Sequence, residues 1–181
     1  GFMHGLCMSA ALWGTVLGAL IGGWPTERFG RRSTLLWIGV LYFVSAVGSG
    51  LAPEQYSFMV ARFIGGLGVG IATVASPLYI SEISPPGLRG RLAGMFQFNI
   101  VFGILIAFFS NYLLSDIGEN AWRWMVGVEA FPAVIYTLMV LTVPKSPRWL
   151  LVQKNDPEAA AKTLRLIDPD VDVEAASRKI L

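Results

Sequence analysis

Two ionisable side chains lie well inside long apolar runs of this 181-residue chain: Arg62 and Glu129. A charge at membrane depth is expensive, so it is normally paired, turned into a helix bundle and put to use. Arg62 follows Tyr56 by six residues and Glu129 follows Trp122 by seven, and each aromatic residue opens its run. At about 1.5 Å per helical residue, both charges sit ~10 Å below the same membrane face. Equal depth and opposite sign predict an ion pair, because each charge offsets part of the other's desolvation. Such a pair is either structural or functional.

A second chemistry is hydrogen bonding. Gln97 and Asn99 are uncharged hydrogen-bonding side chains inside another apolar run. Ligands rich in hydroxyls are held by amides of this kind, so Gln97 is expected to face a cavity, with interhelical hydrogen bonding as its alternative. Asn99 is ~200° further round a helix and is expected to pack. A third group is charged: Glu27, Arg28, Arg31, Arg32, Glu82, Arg89, Arg91 and Arg148 lie at the ends of the runs or in the loops between them. Arginines around a carboxylate offer bidentate pairing. The bland reading of the same residues is membrane topology alone.

Other chemistries find no support. The glycines Gly66, Gly68 and Gly70 follow no strand and lack the spacing of a nucleotide-binding turn. With one His and one Cys, no metal-ligand spacing or catalytic triad is present. The expectation is therefore a protein that is not an enzyme and has no cofactor, no metal and no nucleic-acid partner. His4 reads as an interfacial polar residue.

The elements that must position these groups are membrane spans. The chain is 54% hydrophobic and 14% charged, with mean hydropathy +0.58; a soluble domain carries about a quarter charged residues. Five spans are expected, over 5–23, 33–51, 56–81, 92–114 and 122–143, the second with Ser33 as its N-cap. The start, GFMHGLCMSA, runs straight into a span without a basic leader or an initiating Met, and reads as that of a fragment. Gly14, Gly18 and Gly22 recur on one face of the first span, and Gly65, Gly66, Gly68 and Gly70 bare the third for close helix approach. Basic loops at 24–32 and 82–91 and the basic segment after Pro144 alternate with base-free loops, which places them in the cytoplasm. Residues 1–143 then form five transmembrane helices. Residues 144–181 form a cytoplasmic helical segment, with a helix starting at Asp156-Pro157-Glu158 and another from Val173.

Several motifs together resemble a known family. Gly23-Trp-Pro-Thr-Glu-Arg-Phe-Gly-Arg-Arg32 is similar to the G-x-x-x-D-R-x-G-R-R loop of the major facilitator superfamily, with Glu27 in place of Asp. Arg62-Phe-Ile-Gly-Gly-Leu-Gly-Val-Gly70, Pro77-Leu-Tyr-Ile-Ser-Glu82 and Arg89-Gly90 resemble the sugar porter signature. Pro144-Lys-Ser-Pro-Arg-Trp-Leu150 resembles its P-E-S-P-R-W-L, with Lys145 replacing Glu. The resemblance implies an all-α polytopic membrane protein, the amino-terminal half of the bundle from its helix two to its helix six. It implies transport of a monosaccharide by alternating access, as a proton symporter, with Gln97 on the sugar. Arg62 and Glu129 would serve coupling, with Arg62 working beside an acid on helix one, and the basic cluster would act as a cytoplasmic gate. Uncoupled diffusion of a sugar or polyol, or a sugar-sensing receptor, are the alternatives. The implied partners are the sugar, protons, the lipid bilayer of the cell membrane and the carboxy-terminal half of the same transporter.

Overall fold

The computed structural model describes residues 2–85 and 87–181, without the side chains of residues 2–4 and 8. The expectation for His4 lies outside the described residues. The chain runs through α1 (Phe2–Ile21), α2 (Gly23–Arg28), α3 (Arg31–Leu51), α4 (Gln55–Ile83) and α5 (Arg89–Leu114). It continues through α6 (Ala121–Gly127), α7 (Ala130–Thr142), α8 (Pro147–Val152), α9 (Pro157–Ile167) and α10 (Val173–Ile180). The described residues hold helices and no strand. By length and composition, α3, α4, α5 and the continuous stretch Ala121–Thr142 are each able to cross a membrane, and α1 adds a shorter apolar helix, Gly5–Ile21. The molecule is an all-α, multi-pass membrane protein.

Its outward faces follow from that solvent. α5 has no buried residue, and Leu105, Phe108 and Phe109 point away from the bundle. Where lipid tails meet an apolar surface, burial of apolar area does little to drive helices together. Close packing does it instead. The most extensive helix pairing is α1 on α4, and it is glycine on glycine. A Cβ on Gly14 would strike the Phe63 carbonyl and come within 3.1 Å of Gly66 Cα. One on Gly18 would strike the Leu67 carbonyl and come within 3.1 Å of Gly70 Cα. Gly65 and Gly68 turn the other way and admit Ser45 and Tyr42 of α3. The glycine pattern of the sequence is thus a backbone-on-backbone seam with α4 in the middle. Beside it Leu35, Ile38, Ala75, Tyr79 and Val140 form the core between α3, α4 and α7.

Three local expectations change. Residues 24–28, expected as loop, belong to the short helix α2 (Gly23–Arg28), because Pro25 falls in its first turn, where no backbone N–H is needed. Ser33 lies inside α3; the chain enters that helix through Gly30, whose φ of 92° suits a residue without a side chain. The last span is interrupted at Val128–Glu129. Pro132 has no N–H for the Val128 carbonyl, and Phe131 takes that carbonyl instead at 3.1 Å, a tighter turn.

Beyond Thr142, Asp156 accepts from Ala159 N at 3.0 Å and Asp172 accepts from Ala175 N at 3.1 Å, so both expected helix starts are capped. Trp149, Leu150, Leu151 and Ala160 give these short helices a core of their own.

The seam makes a direct prediction. Gly18→Leu forces backbone apart along α1 and α4, at a cost of ~1–3 kcal/mol or more for overpacking. Gly94→Ala, where nothing lies within 4 Å, is the control. Thermal melting in detergent should separate the two, with only the first losing folded protein.

Candidate functional site

α4 is fixed at its entrance by a reciprocal cap: the Glu54 side chain accepts from the Ser57 backbone, and the Glu54 backbone N–H donates to Ser57 Oγ at 3.3 Å. One turn on, Phe58 meets Trp122 edge to face at 5.9 Å, which sets the starts of α4 and α6 side by side. Counting inward from there, Arg62 and Glu129 come level. Arg62 Nη1 lies 3.3 Å from Glu129 Oε2, the pairing that equal depth predicts. The contact is single and not sealed. The arginine side chain is 31% exposed and the carboxylate 54%. Glu129 stands at the interruption between α6 and α7, where the tight turn aims it inward.

The pair opens into a cavity of about 730 Å³ bounded by α1, α3, α4, α5 and α7. Thr15, Tyr42, Ser45, Asn99 and Tyr136 contribute its other polar groups, and Tyr42 and Tyr136 stand edge to face at 6.1 Å. On α5 the lining residues are Phe96, Asn99, Ile100, Gly103, Ile104 and Ala107. They fall at i, i+3, i+4, i+7, i+8 and i+11, a single helical stripe. Gln97 is outside it. It is exposed, on a flank of α5 that does not border this cavity. The expectation that Asn99 packs is overturned, because Asn99 falls on the stripe of α5 that borders the cavity.

At the opposite end of α4 lies the basic cluster. Arg31 Nη2 is 2.8 Å from Glu82 Oε1, with Nε at 3.1 Å from the same oxygen, and both side chains are buried. Arg31 Nη1 also donates to the Thr26 carbonyl at 3.2 Å. The other Glu82 oxygen accepts a hydrogen bond from Ser146 Oγ. Ser146 Oγ in turn accepts from Trp149 N at 3.2 Å, capping α8, and Trp149 Nε1 donates to the Glu27 carbonyl at 2.8 Å. Its ring lies against Gly30, so a side chain there would collide with it. Tyr79 donates to the Pro144 carbonyl at 2.6 Å. The start of α3, the end of α4 and the start of α8 are tied by one connected set of bonds.

Not all the expected members enter it. Arg32 donates to the Leu141 carbonyl at 2.7 Å, and Arg89 to the Ser81 carbonyl at 3.1 Å. Arg28 lies over the Trp24 ring at 5.5 Å. Glu27 joins through its backbone, with its side chain exposed. Arg91 and Arg148 are exposed and, among the described residues, unpaired with any carboxylate. Glu82 is therefore not shared between arginines: it serves Arg31 and a serine. Sequence reasoning missed Thr26, Ser146 and Trp149. The signal for one was present, since a serine directly before Pro147 is a helix cap in waiting. Lys145 is exposed and stands outside the network.

Comparison with known proteins places these geometries in context. The family model described as sugar (and other) transporter matches residues 2–181. The D-xylose-proton symporter of Escherichia coli (strain K12) is 37% identical over 190 residues, covering 90% of this chain and 38% of that protein. The glucose transport protein of Synechocystis sp. is 40% identical over 180 residues, covering 93% and 38%. Probable inositol transporter 2 of Arabidopsis thaliana is 37% identical over 179 residues, covering 99% and 30%. Among solved structures, the partially occluded inward open conformation of the xylose transporter XylE from E. coli superposes with a TM-score of 0.92 at 35% identity, over 98% of this chain and 47% of that one. The chain thus spans 30–38% of the length of these curated relatives.

The cluster at the end of α4 yields a test independent of any relative. Glu82→Gln removes the charge that offsets buried Arg31, and breaking such a pair typically costs ~3–5 kcal/mol. Ser146→Ala removes only a cap and one bond to Glu82, about 1 kcal/mol for the cap. Accessibility labelling of a cysteine placed at residue 84 should rise strongly in the first variant and slightly in the second.

Proposed function

Because the chain belongs to the sugar (and other) transporter family, the sugar porters of the major facilitator superfamily, we propose that it works as part of the amino-terminal bundle of a proton-coupled monosaccharide transporter. The observation that carries this reading is the Arg62–Glu129 pair, 3.3 Å apart beside an open cavity, with the Glu129 side chain half exposed. A structural ion pair needs no cavity. A pair that takes part in coupling needs access to the space through which substrate and protons pass.

Alternating access moves two halves about a site near the membrane midplane. The second half is the proposed partner, in keeping with relatives more than twice as long as this chain. The basic end of the bundle is cytoplasmic in this scheme, residues 144–181 are a helical linker, and the Arg31–Glu82–Ser146 set is the lock that holds α3, α4 and α8 together while that end is closed. Glu27, Arg28, Arg32, Arg89, Arg91 and Arg148 surround the lock without closing it. The substrate is a monosaccharide or a related polyol, the classes named for the similar proteins. Gln97 reaches the sugar from the exposed flank of α5, the side left for the other half.

Two experiments on the full-length transporter in proteoliposomes test this. Gln97→Ala should weaken equilibrium sugar binding by about five- to tenfold, the loss of one or two hydrogen bonds, with membrane insertion unchanged; unaltered affinity removes Gln97 from the site. Arg62→Leu should lose proton-driven accumulation of sugar by a much larger factor than sugar exchange. An Arg62→Leu protein that concentrates sugar normally leaves uncoupled transport as the correct reading.

A further inference from the structure

Arg31 directly follows a turn that does not hold itself. Gly30, with φ of 92°, leads from α2 into α3. A glycine visits both signs of φ with nearly equal ease, so this turn alone leaves the direction of the next side chain loosely set. Arg31 nevertheless reaches Glu82, 51 positions along the chain, with two nitrogens on one carboxylate oxygen.

Trp149 supplies what the glycine lacks. Its indole N–H donates to the Glu27 carbonyl at 2.8 Å. Its ring fills the space where a Gly30 side chain would stand, since a Cβ there would lie 2.9 Å from Trp149 Cε2. The buried indole is thus held against both sides of the turn. The carbonyl one residue before Glu27, that of Thr26, is the one that takes Arg31 Nη1 at 3.2 Å. At its other end, the Trp149 backbone N–H donates to Ser146 Oγ at 3.2 Å, and that hydroxyl donates to the second oxygen of Glu82. The contacts close on themselves. They run from Trp149 to the turn 26–31, through Arg31 to Glu82, and back through Ser146 to Trp149. Among the described residues, Trp149 makes no hydrogen bond to Arg31 or Glu82, so its hold on the pair passes through the turn and the serine.

We infer that Trp149 is a positioning residue for the Arg31–Glu82 pair: its indole braces the Gly30 turn so that the guanidinium stays aimed at the carboxylate. This rests on the reading of that pair as the lock of the cytoplasmic end. Members of a closed ring depend on one another. Aim matters most when a charge waits at the far end, so the effects of losing the indole and losing the Glu82 charge overlap instead of multiplying.

The test is a double-mutant cycle in the full-length transporter in proteoliposomes, with a cysteine at residue 84. Its modification by N-ethylmaleimide is followed at that residue by mass spectrometry, per folded protein, and tracks the population in which this end is open. Trp149→Phe keeps a ring and loses the indole N–H; labelling should rise about fivefold, the equivalent of one lost hydrogen bond. Added to Glu82→Gln, it should raise labelling by less than about twofold over Glu82→Gln alone. Leu150→Ala is the control. Leu150 is buried beside Trp149 in the same small core, and its side chain takes no part in the ring of contacts, so its effect should multiply with that of Glu82→Gln. If Trp149→Phe also multiplies, or if Leu150→Ala overlaps as fully, the indole only packs α8 and the inference is overturned. Unchanged labelling in Trp149→Phe overturns it as well. Should Glu82→Gln itself leave labelling unchanged, the pair is not a lock, and that reading fails together with the inference.

Discussion

The contact of α1 with α4 through bare backbone is the constraint on which the remaining geometry rests. In lipid no hydrophobic force gathers helices, and association depends on close fit and on polar contacts. Gly14 and Gly18 against Gly66 and Gly70 bring two main chains nearer than any side chain permits. With α4 held from one side by that seam and from the other by α3, its two ends become fixed points. Arg62 stands near one and Glu82 near the other, ~30 Å apart along a single helix at the usual rise. Among the described residues, both ion pairs of the membrane bundle are therefore anchored on the same rod.

The two pairs differ in kind because their surroundings differ. Arg31 and Glu82 are enclosed, and the remaining carboxylate oxygen is occupied by Ser146, so removing either partner strands a charge. Arg62 and Glu129 share one contact in an open space, where screening keeps the energy of the pair low. A sealed pair holds an arrangement together. An open one responds to what enters beside it. The same two residue types thus make an enclosed pair at one end of α4 and an open one at the other.

Much of this was legible in the residues, and the failures have physical causes. Arg62 and Glu129 were paired by counting residues from two aromatic anchors, which works because helix rise is nearly invariant. Asp156-Pro157 announced its helix start because cap chemistry is local. The faces of α5 were not readable. That helix is apolar all round, so no periodic stripe tells which side meets the bundle, and Asn99, expected to pack, lines the cavity instead. Glu82 was expected among arginines because charge is visible in a sequence. Its second partner, Ser146, is neutral, lies 64 positions along the chain and comes within reach only through folding.

The interruption at Val128–Glu129 has a mechanical consequence. A continuous helix is stiff, since each turn is braced by the next. Here Pro132 removes one brace, and the neighbouring bonds span three residues instead of four. The span then behaves as two short beams joined at a compliant point, and the carboxylate sits on the joint. A few degrees of bending between α6 and α7 changes the Arg62–Glu129 separation without any side chain leaving its rotamer. The strength of that contact is set by the curvature of a helix, so whatever bends the bundle also alters how closely its opposite charges meet.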